Sequence, residues 1–268
     1  MPDQPLSPKP GETVKLKDYN PGDRGHYDKV TARAEVDRLQ KQMRELQERL
    51  FAEKKQSLLI VFQAMDAGGK DSTIKKVFEG INPQGVRVHS FKAPTEEELA
   101  HDFLWRVHHH TPERGFINIF NRSHYEDVLV VRVNQLVPES VWKKRYDHIN
   151  NFERLLHDGG TQILKFFLHI SKDEQKERFQ DRLDRPDKHW KFSRGDLPVR
   201  EQWGDYMHAY EDAISRCNTD YARWVIVPAN RKWYRDLIVT RKIVEILDSM
   251  NPQYPEPEEG LDSIVIPD

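Results

Sequence analysis

Apolar positions along this chain fall into two kinds of pattern, stripes at spacings of three and four and short unbroken runs. A stripe comes first: in "TARAEVDRLQKQMRELQERLFAEKK", Val36, Leu39, Met43, Leu46 and Leu50 lie on one face of a charged helix. Two heptads are too few for a coiled coil, so this helix is expected to pack on its own domain or on a partner subunit. The runs follow. "SLLIVFQ" (57–63), "FINIF" (116–120), "ILKFFLHI" (163–170) and "WVIVPA" (224–229) read as buried parallel strands, and "VRVHSF" (86–91) alternates as a strand does.

Helical segments separate these runs. One spans 70–79 and stops at Gly80 and the Asn82-Pro83 turn. Another spans 96–109, opened by a capping box of Thr95 and Glu98. A third runs over 138–157 and ends at Gly159-Gly160; a fourth begins behind Ser171 and Glu174; the last covers 231–250. Strand-helix alternation of this kind predicts an α/β fold, an open parallel sheet of five strands with helices on both faces. Ligands then bind beyond the carboxyl ends of the strands, which directs attention to the residues after the first, third and fourth. Around this unit, expected over 31–255, residues 1–30 read as an extended arm and 256–268 as an acidic, Pro-rich tail.

Composition narrows the picture. A net charge of −2 argues against a uniformly basic nucleic-acid coat, yet 42 Lys and Arg leave room for a local basic channel. A single cysteine, Cys217, precludes an internal disulfide and reads as packing rather than nucleophile. No apolar run approaches the ~20 residues that span a bilayer, and the first residues carry no signal-peptide core. The expectation is a cytoplasmic protein that binds neither membrane nor nucleic acid.

The chemistry concentrates in three places. After the first strand, "MDAGGKDSTIK" bends from strand to helix through Ala67, Gly68, Gly69 and Lys70. Backbone N–H groups and a helix N-terminus converge there on an anion, and Lys70 adds a full charge. The standard phosphate-loop pattern is broken at both ends, with Ala64 at its first Gly and Asp71 at its hydroxyl position. Asp66, inside the loop, is expected to supply the cation ligand that the hydroxyl usually provides. After the third strand come Asn121, Arg122, Ser123, His124, Tyr125, Glu126 and Asp127. Arg122 offers a planar fork to phosphate oxygens, and either Glu126 or Asp127 is the candidate for supporting the metal. After the fourth strand, 171–197 is a charged, aromatic flap; Arg178 and Arg182 share a face, with Trp190 and Phe192 among cations. It reads as a mobile lid, about 175–200, that brings both arginines onto a transferring phosphate. The three histidines at 108–110 diverge on a helix and read as a polar face rather than a metal site.

Taken together, "MDAGGKDSTIK", "APTEEELAHDFLWRVH", "FNRSHYEDVLVVRV", "ILKFFLHISKDEQKERF" and "KHWKF" followed by "GDL" resemble the family-2 polyphosphate kinases, over about 30–255. They look most like the subgroup that phosphorylates nucleoside mono- and diphosphates. The resemblance implies a P-loop kinase fold with an α-helical lid and Mg²⁺- or Mn²⁺-dependent transfer of the terminal phosphoryl of inorganic polyphosphate to AMP or ADP. It implies a metal-binding role for Asp66 and Asp196 and a phosphate-binding loop of Ala67 to Asp71 with Lys75 and Lys76 beyond. The nucleotide side falls on Thr95, Arg106, Asn121, Ser123 and Glu126, and the catalytic cations are Lys70, Arg122, Arg178 and Arg182. Many relatives carry Asp where Asn121 stands, and the amide resembles the subgroup that accepts AMP. A homo-oligomer, dimer or tetramer, is implied as well. Two other classes compete with this reading: an NTP-dependent nucleoside or nucleotide kinase on the same fold, and a polyanion-binding module without turnover.

Overall fold

The computed structural model describes residues 6–267. Five strands, β1 (Ser57–Gln63), β2 (Val86–Ser90), β3 (Ile117–Asn121), β4 (Thr161–His169) and β5 (Ala222–Pro228), form one sheet in the order β2-β3-β1-β4-β5. Every pairing is parallel, with Phe62 level with Asn121 on one side and Gln63 level with Phe167 on the other. The helices are α1 (Lys29–Glu53), α2 (Lys70–Val77), α3 (Glu96–Leu99), α4 (Trp105–His108), α5 (Val130–Val133) and α6 (Glu139–Asp158), followed by α7 (Lys172–Asp184), α8 (Asp196–Glu201), α9 (Trp203–Arg216) and α10 (Lys232–Met250).

Alternate side chains of each buried strand feed two apolar layers. Leu58, Ile60 and Phe62 face α1, α2 and α10; Leu59 and Val61 face α6 and α9. The α1 stripe Val36, Leu39, Met43, Leu46 and Leu50 is buried in the first layer, so it is spent within the chain rather than on a partner. From adjacent strands, α2 leaves β1 toward one layer while Tyr125 and Val128, after β3, drop into the other. That divergence opens a crevice beyond the carboxyl ends of β1 and β3.

One expectation is corrected, and two features were not foreseen. The helix read over 96–109 is two single turns, α3 and α4, because the Asp102 carboxylate takes the N–H of Leu104 (2.9 Å) and restarts the chain. The amphipathic helix α9 was not anticipated, although Tyr206, Ala209, Tyr210, Ala213 and Ile214 carry its 3.6-residue period. The arm, whose residues 1–5 lie outside the described residues, packs on the domain where it is described: Leu6, Val14 and Leu16 are buried. Its backbone donates to Glu211 and Ser215, and the Leu6 carbonyl caps the β5 edge by accepting from the Ile226 N–H (2.8 Å). Among the described residues no helix is long and apolar enough to cross a membrane.

Candidate active site

The turn after β1 folds back on its own start. A Cβ added to Gly68 would lie 2.5 Å from the Ala64 methyl and 2.8 Å from the Met65 carbonyl, so the loop closes only over a bare α-carbon. Ala67 and Gly69 both hold left-handed backbone (φ 58° and 100°), and α2 begins at once with Lys70. Lys70 is buried, and its Nζ donates to the Ala64 carbonyl (3.0 Å) across the loop. Burial, then the charge of Arg122, holds its ammonium below the ordinary lysine range. The hydroxyls of Ser72 and Thr73 both donate to the Gly69 carbonyl (2.9 Å each).

Asp71 and Asn121, the two departures from the usual pattern, touch each other. The Asn121 amide donates to the Asp71 carboxylate at 2.7 Å. A hydroxyl after the lysine and an acid after the third strand would form the same bond with donor and acceptor exchanged between the two loops. In this chain the two deviations meet in one hydrogen bond. A second tie runs beside it: Arg122, left-handed at φ 62°, donates from Nη2 to Asp66 Oδ1 (2.9 Å) and places Nη1 4.0 Å from Glu126.

Over both loops lies the flap, comprising α7, a 3-10 turn Pro186–Lys191 and α8. Between flap and loops is a cleft of about 710 Å³ lined by Asp66, Ala67, Gly68, Gly69, Lys70, Asp71, Asn121, Arg122, Arg182 and Asp196. A smaller chamber of about 280 Å³ lies on the far side of the Arg122–Asp66 pair, where Glu126 joins Asp66 and Asp196. Asp196 pairs with Arg182 at 3.6 Å, and burial together with the charge of Asp66 raises its carboxyl above the ordinary range.

Other residues singled out in the sequence stand elsewhere. Arg178 faces away from the cleft: its guanidinium donates to the carbonyls of Ala67 (2.9 Å), Gly68 (3.0 Å) and Ala229 (2.6 Å) and holds the loop from behind. Lys75 and Lys76 are on the exposed side of α2, away from the cleft, because Lys70, Thr73, Ile74 and Val77 occupy its buried side. Ser123 is buried, capping the turn His124–Val128 and accepting from Gln63. Asp127 is tied to Arg145 (2.8 Å) outside both cavities, and burial pushes its carboxyl up to about 6. Thr95 caps α3 at the surface, and Arg106, buried, braces Glu98 and the Lys92 carbonyl. Among the described residues no group of three or more His, Cys, Asp or Glu is arranged as a metal site. Cys217 is buried and its thiol is pushed up to about 12 by that burial, so it is packing.

The sequence reading passed over Lys92, Lys191, Ser193, Tyr206 and Tyr210. The first three line the cleft and the tyrosines wall the chamber with Ser193. Lys92 sits directly after β2 and could have been found by the same strand-end rule applied to that strand. The tyrosines come from α9, whose place beside β4 no local pattern announces.

The sequence model of the family described as Polyphosphate kinase 2 matches residues 26–255. The chain is 54% identical over 260 residues to the AMP/ADP-polyphosphate phosphotransferase of Meiothermus ruber, covering 96% of this chain and 97% of that one. It is 48% identical over 243 residues to the ADP-polyphosphate phosphotransferase of Rhodopseudomonas palustris, covering 86% and 82%. Its fold superposes on the crystal structure of polyphosphate kinase 2 from Arthrobacter aurescens with a TM-score of 0.93 at 40% identity, covering 96% and 93%.

Proposed function

The chain belongs to the polyphosphate kinase 2 family, and from that premise we propose that it moves the terminal phosphoryl group of inorganic polyphosphate onto AMP or ADP, reversibly and with Mg²⁺ or Mn²⁺. The observation that carries the reading is the set of cations facing one cleft. Lys70, Arg122, Arg182, Lys92 and Lys191 line it, together with the loop that ends β1. Such a site stabilises charge spread over phosphoryl oxygens, which is most of what this chemistry requires.

In the transfer, an oxygen of the acceptor's phosphate forms a bond to the terminal phosphorus of the polymer. The bridging P–O bond breaks, and the shortened polymer keeps the electron pair. The acceptor oxygen is already ionised at neutral pH, so no general base is needed, and no histidine lines the cleft. Lys70 is placed to leave the Ala64 carbonyl for a phosphate oxygen, while Arg122 and Arg182 orient the phosphoryl group from the two walls. Asp66 and Asp196, whose like charges oppose each other across the cleft, would hold the divalent cation, with Glu126 behind them. When bound, that cation neutralises charge on the phosphoryl oxygens.

A second basic surface supports a polymeric donor. A groove of about 700 Å³ between α1, α2 and α10 is lined by Lys29, Arg33, Lys76, Arg231 and Lys232. Asp37 and Asp236 share the groove with these cations; burial, then the charges of Arg178 and Arg235, still holds Lys232 below its ordinary value. Distal phosphates of a bound chain would neutralise it.

The test is incubation of purified protein with Mg²⁺, polyphosphate and AMP, without any NTP, followed by chromatography. ADP and then ATP are expected. Turnover with ATP as the only effective donor would move the protein to the NTP-dependent kinases. Absence of product with either donor would leave a binding module.

A further inference from the structure

Behind the turn that carries Arg122 lies a buried ionic cluster that the phosphoryl-transfer reading does not use. Glu153 on α6 and Lys165 on β4 pair at 2.6 Å, with both side chains fully removed from solvent. Tyr125 completes a triangle: its hydroxyl accepts from Lys165 Nζ (2.9 Å) and donates to Glu153 Oε1 (2.9 Å). The remaining Lys165 proton goes to the Cys217 carbonyl (2.6 Å), and His124 Nε2 lies 3.2 Å from the same Glu153 oxygen.

Stability does not account for this cluster. Two charges taken out of water lose hydration that their mutual attraction only repays, and apolar side chains of the same volume commonly serve a core as well. What the ionic triangle has and an apolar one lacks is direction, because each donor has one acceptor at one angle. The residue in need of direction is three positions upstream. Arg122 is a non-glycine residue in left-handed backbone (φ 62°), a conformation that persists only where the surroundings impose it. Its own side chain is 42% exposed, so packing of that side chain does not impose it. Its N–H is fixed to the Phe62 carbonyl (3.1 Å), Ser123 caps the turn that follows, and the next anchors are His124 and Tyr125, both buried in the cluster.

We propose that Glu153, Lys165 and Tyr125 are positioning residues for the transfer, holding the turn after β3 so that the strained Arg122 points at Asp66 and the cleft. The proposal rests on the role given to Arg122 above. None of the three lines the cleft or the chamber except through that turn.

The experiment is a coupling cycle. The double variant Glu153→Leu/Lys165→Met is made alone and with Arg122→Ala, and kcat, KM and the unfolding midpoint are measured in the NTP-free assay. The expected result is an unfolding midpoint close to wild type, kcat lower by about 10²-fold and both KM values within about threefold, the loss that misplacing a reacting group by ~1 Å produces. Arg122→Ala should then cost little more in that background than the double variant costs alone. Full kcat in the double variant, or losses that simply multiply with Arg122→Ala, would overturn the proposal. Should the double variant not fold, Tyr125→Phe, which leaves the ion pair in place, is put through the same cycle with the same criteria. Wild-type protein inactive with polyphosphate would remove the function and this inference together; active wild type with unaffected variants would remove the inference alone.

Discussion

The loops after β1 and β3 do the same job by different physics. Each leaves a fully buried strand, each contains a left-handed non-glycine residue, Ala67 or Arg122, and each sends one cation into the cleft. The first is fixed through its backbone: glycines permit the turn, and Arg178 binds the carbonyls of Ala67 and Gly68 from outside. The second is fixed through side chains, by Ser123 capping its turn and by the buried contacts of His124 and Tyr125. A backbone-held loop depends on bare α-carbons at its close approaches and fails when its carbonyl donors are removed. A side-chain-held loop depends on partners far away in the chain.

The largest effect should come from removing the brace of the first loop. Arg178→Ala leaves buried carbonyls without donors and Glu174 without its 2.7 Å partner, at about 1–3 kcal/mol for each orphaned group. A fall in Tm of roughly 10 °C is expected for a domain of this size, with activity lost alongside. Arg182→Ala, one helical turn on, touches the Lys191 carbonyl and Asp196 rather than the loop. It should lower kcat by about 10²–10³-fold while Tm shifts little. Thermal unfolding and steady-state kinetics on the pair decide the matter. An unchanged Tm in Arg178→Ala would end the scaffold reading, and an unchanged kcat in Arg182→Ala would end the lid reading.

How far each loop could be read from sequence follows from the same contrast. Gly68, Gly69 and Lys70 declare a phosphate loop within four residues, because glycine conformations and a helix start are local facts. The five strands along the chain were legible for a similar reason, four as unbroken apolar runs and β2 by its alternation; their order in the sheet was not. The residues that stand away from the cleft divide into those a local window could have set aside and those it could not. Lys75 and Lys76 could have been set aside by helical period alone, since Lys70, Thr73, Ile74 and Val77 define the buried face. Arg178 and Arg182 do share a helix face, as their spacing says, but one turn of helix decides whether a guanidinium meets loop carbonyls or open cleft. The supports of the second loop, Glu153 and Lys165, are ordinary charged residues in sequence. Only the fold brings them under Tyr125.

A middle-sized effect should appear where the two loops are tied to each other. Asn121→Asp sets a second carboxylate against Asp71 at the position of the present 2.7 Å hydrogen bond, replacing a donor with a like charge at a cost of about 1–3 kcal/mol. Adding Asp71→Ser restores a donor-acceptor pair with the roles exchanged. The double variant should therefore recover about 1–2 kcal/mol of stability relative to additivity, together with part of the activity. Chemical denaturation of the four proteins in the cycle measures this directly. Strict additivity would mean that the two departures from the common pattern are unrelated.

The smallest effect separates the loops by pH. Asp127, in the turn after β3, is buried, and that burial outweighs the pull of Arg145 so that its carboxyl is raised from 3.8 to about 6. The folded protein therefore holds this proton more tightly than the unfolded chain does. Between pH 6 and 4 the group makes the fold more stable as pH falls, by at most about 1.4 kcal/mol per unit, and above pH 6 that contribution is gone. Asp127→Asn, which mimics the protonated form, removes the slope. The stability difference between variant and wild type should then move in favour of the variant by about 1–3 kcal/mol from pH 4 to pH 7, on top of any constant cost of leaving Arg145 without its partner. Turnover at pH 7.5 should change little, because Asp127 reaches neither the cleft nor the chamber. Denaturation curves at several pH values provide the check, and a difference that stays flat across the window would mean that Asp127 is ionised in the fold as readily as in the unfolded chain. A large loss of turnover in the same variant would mean instead that the turn after β3 is held by Asp127 and Arg145 as much as by Tyr125.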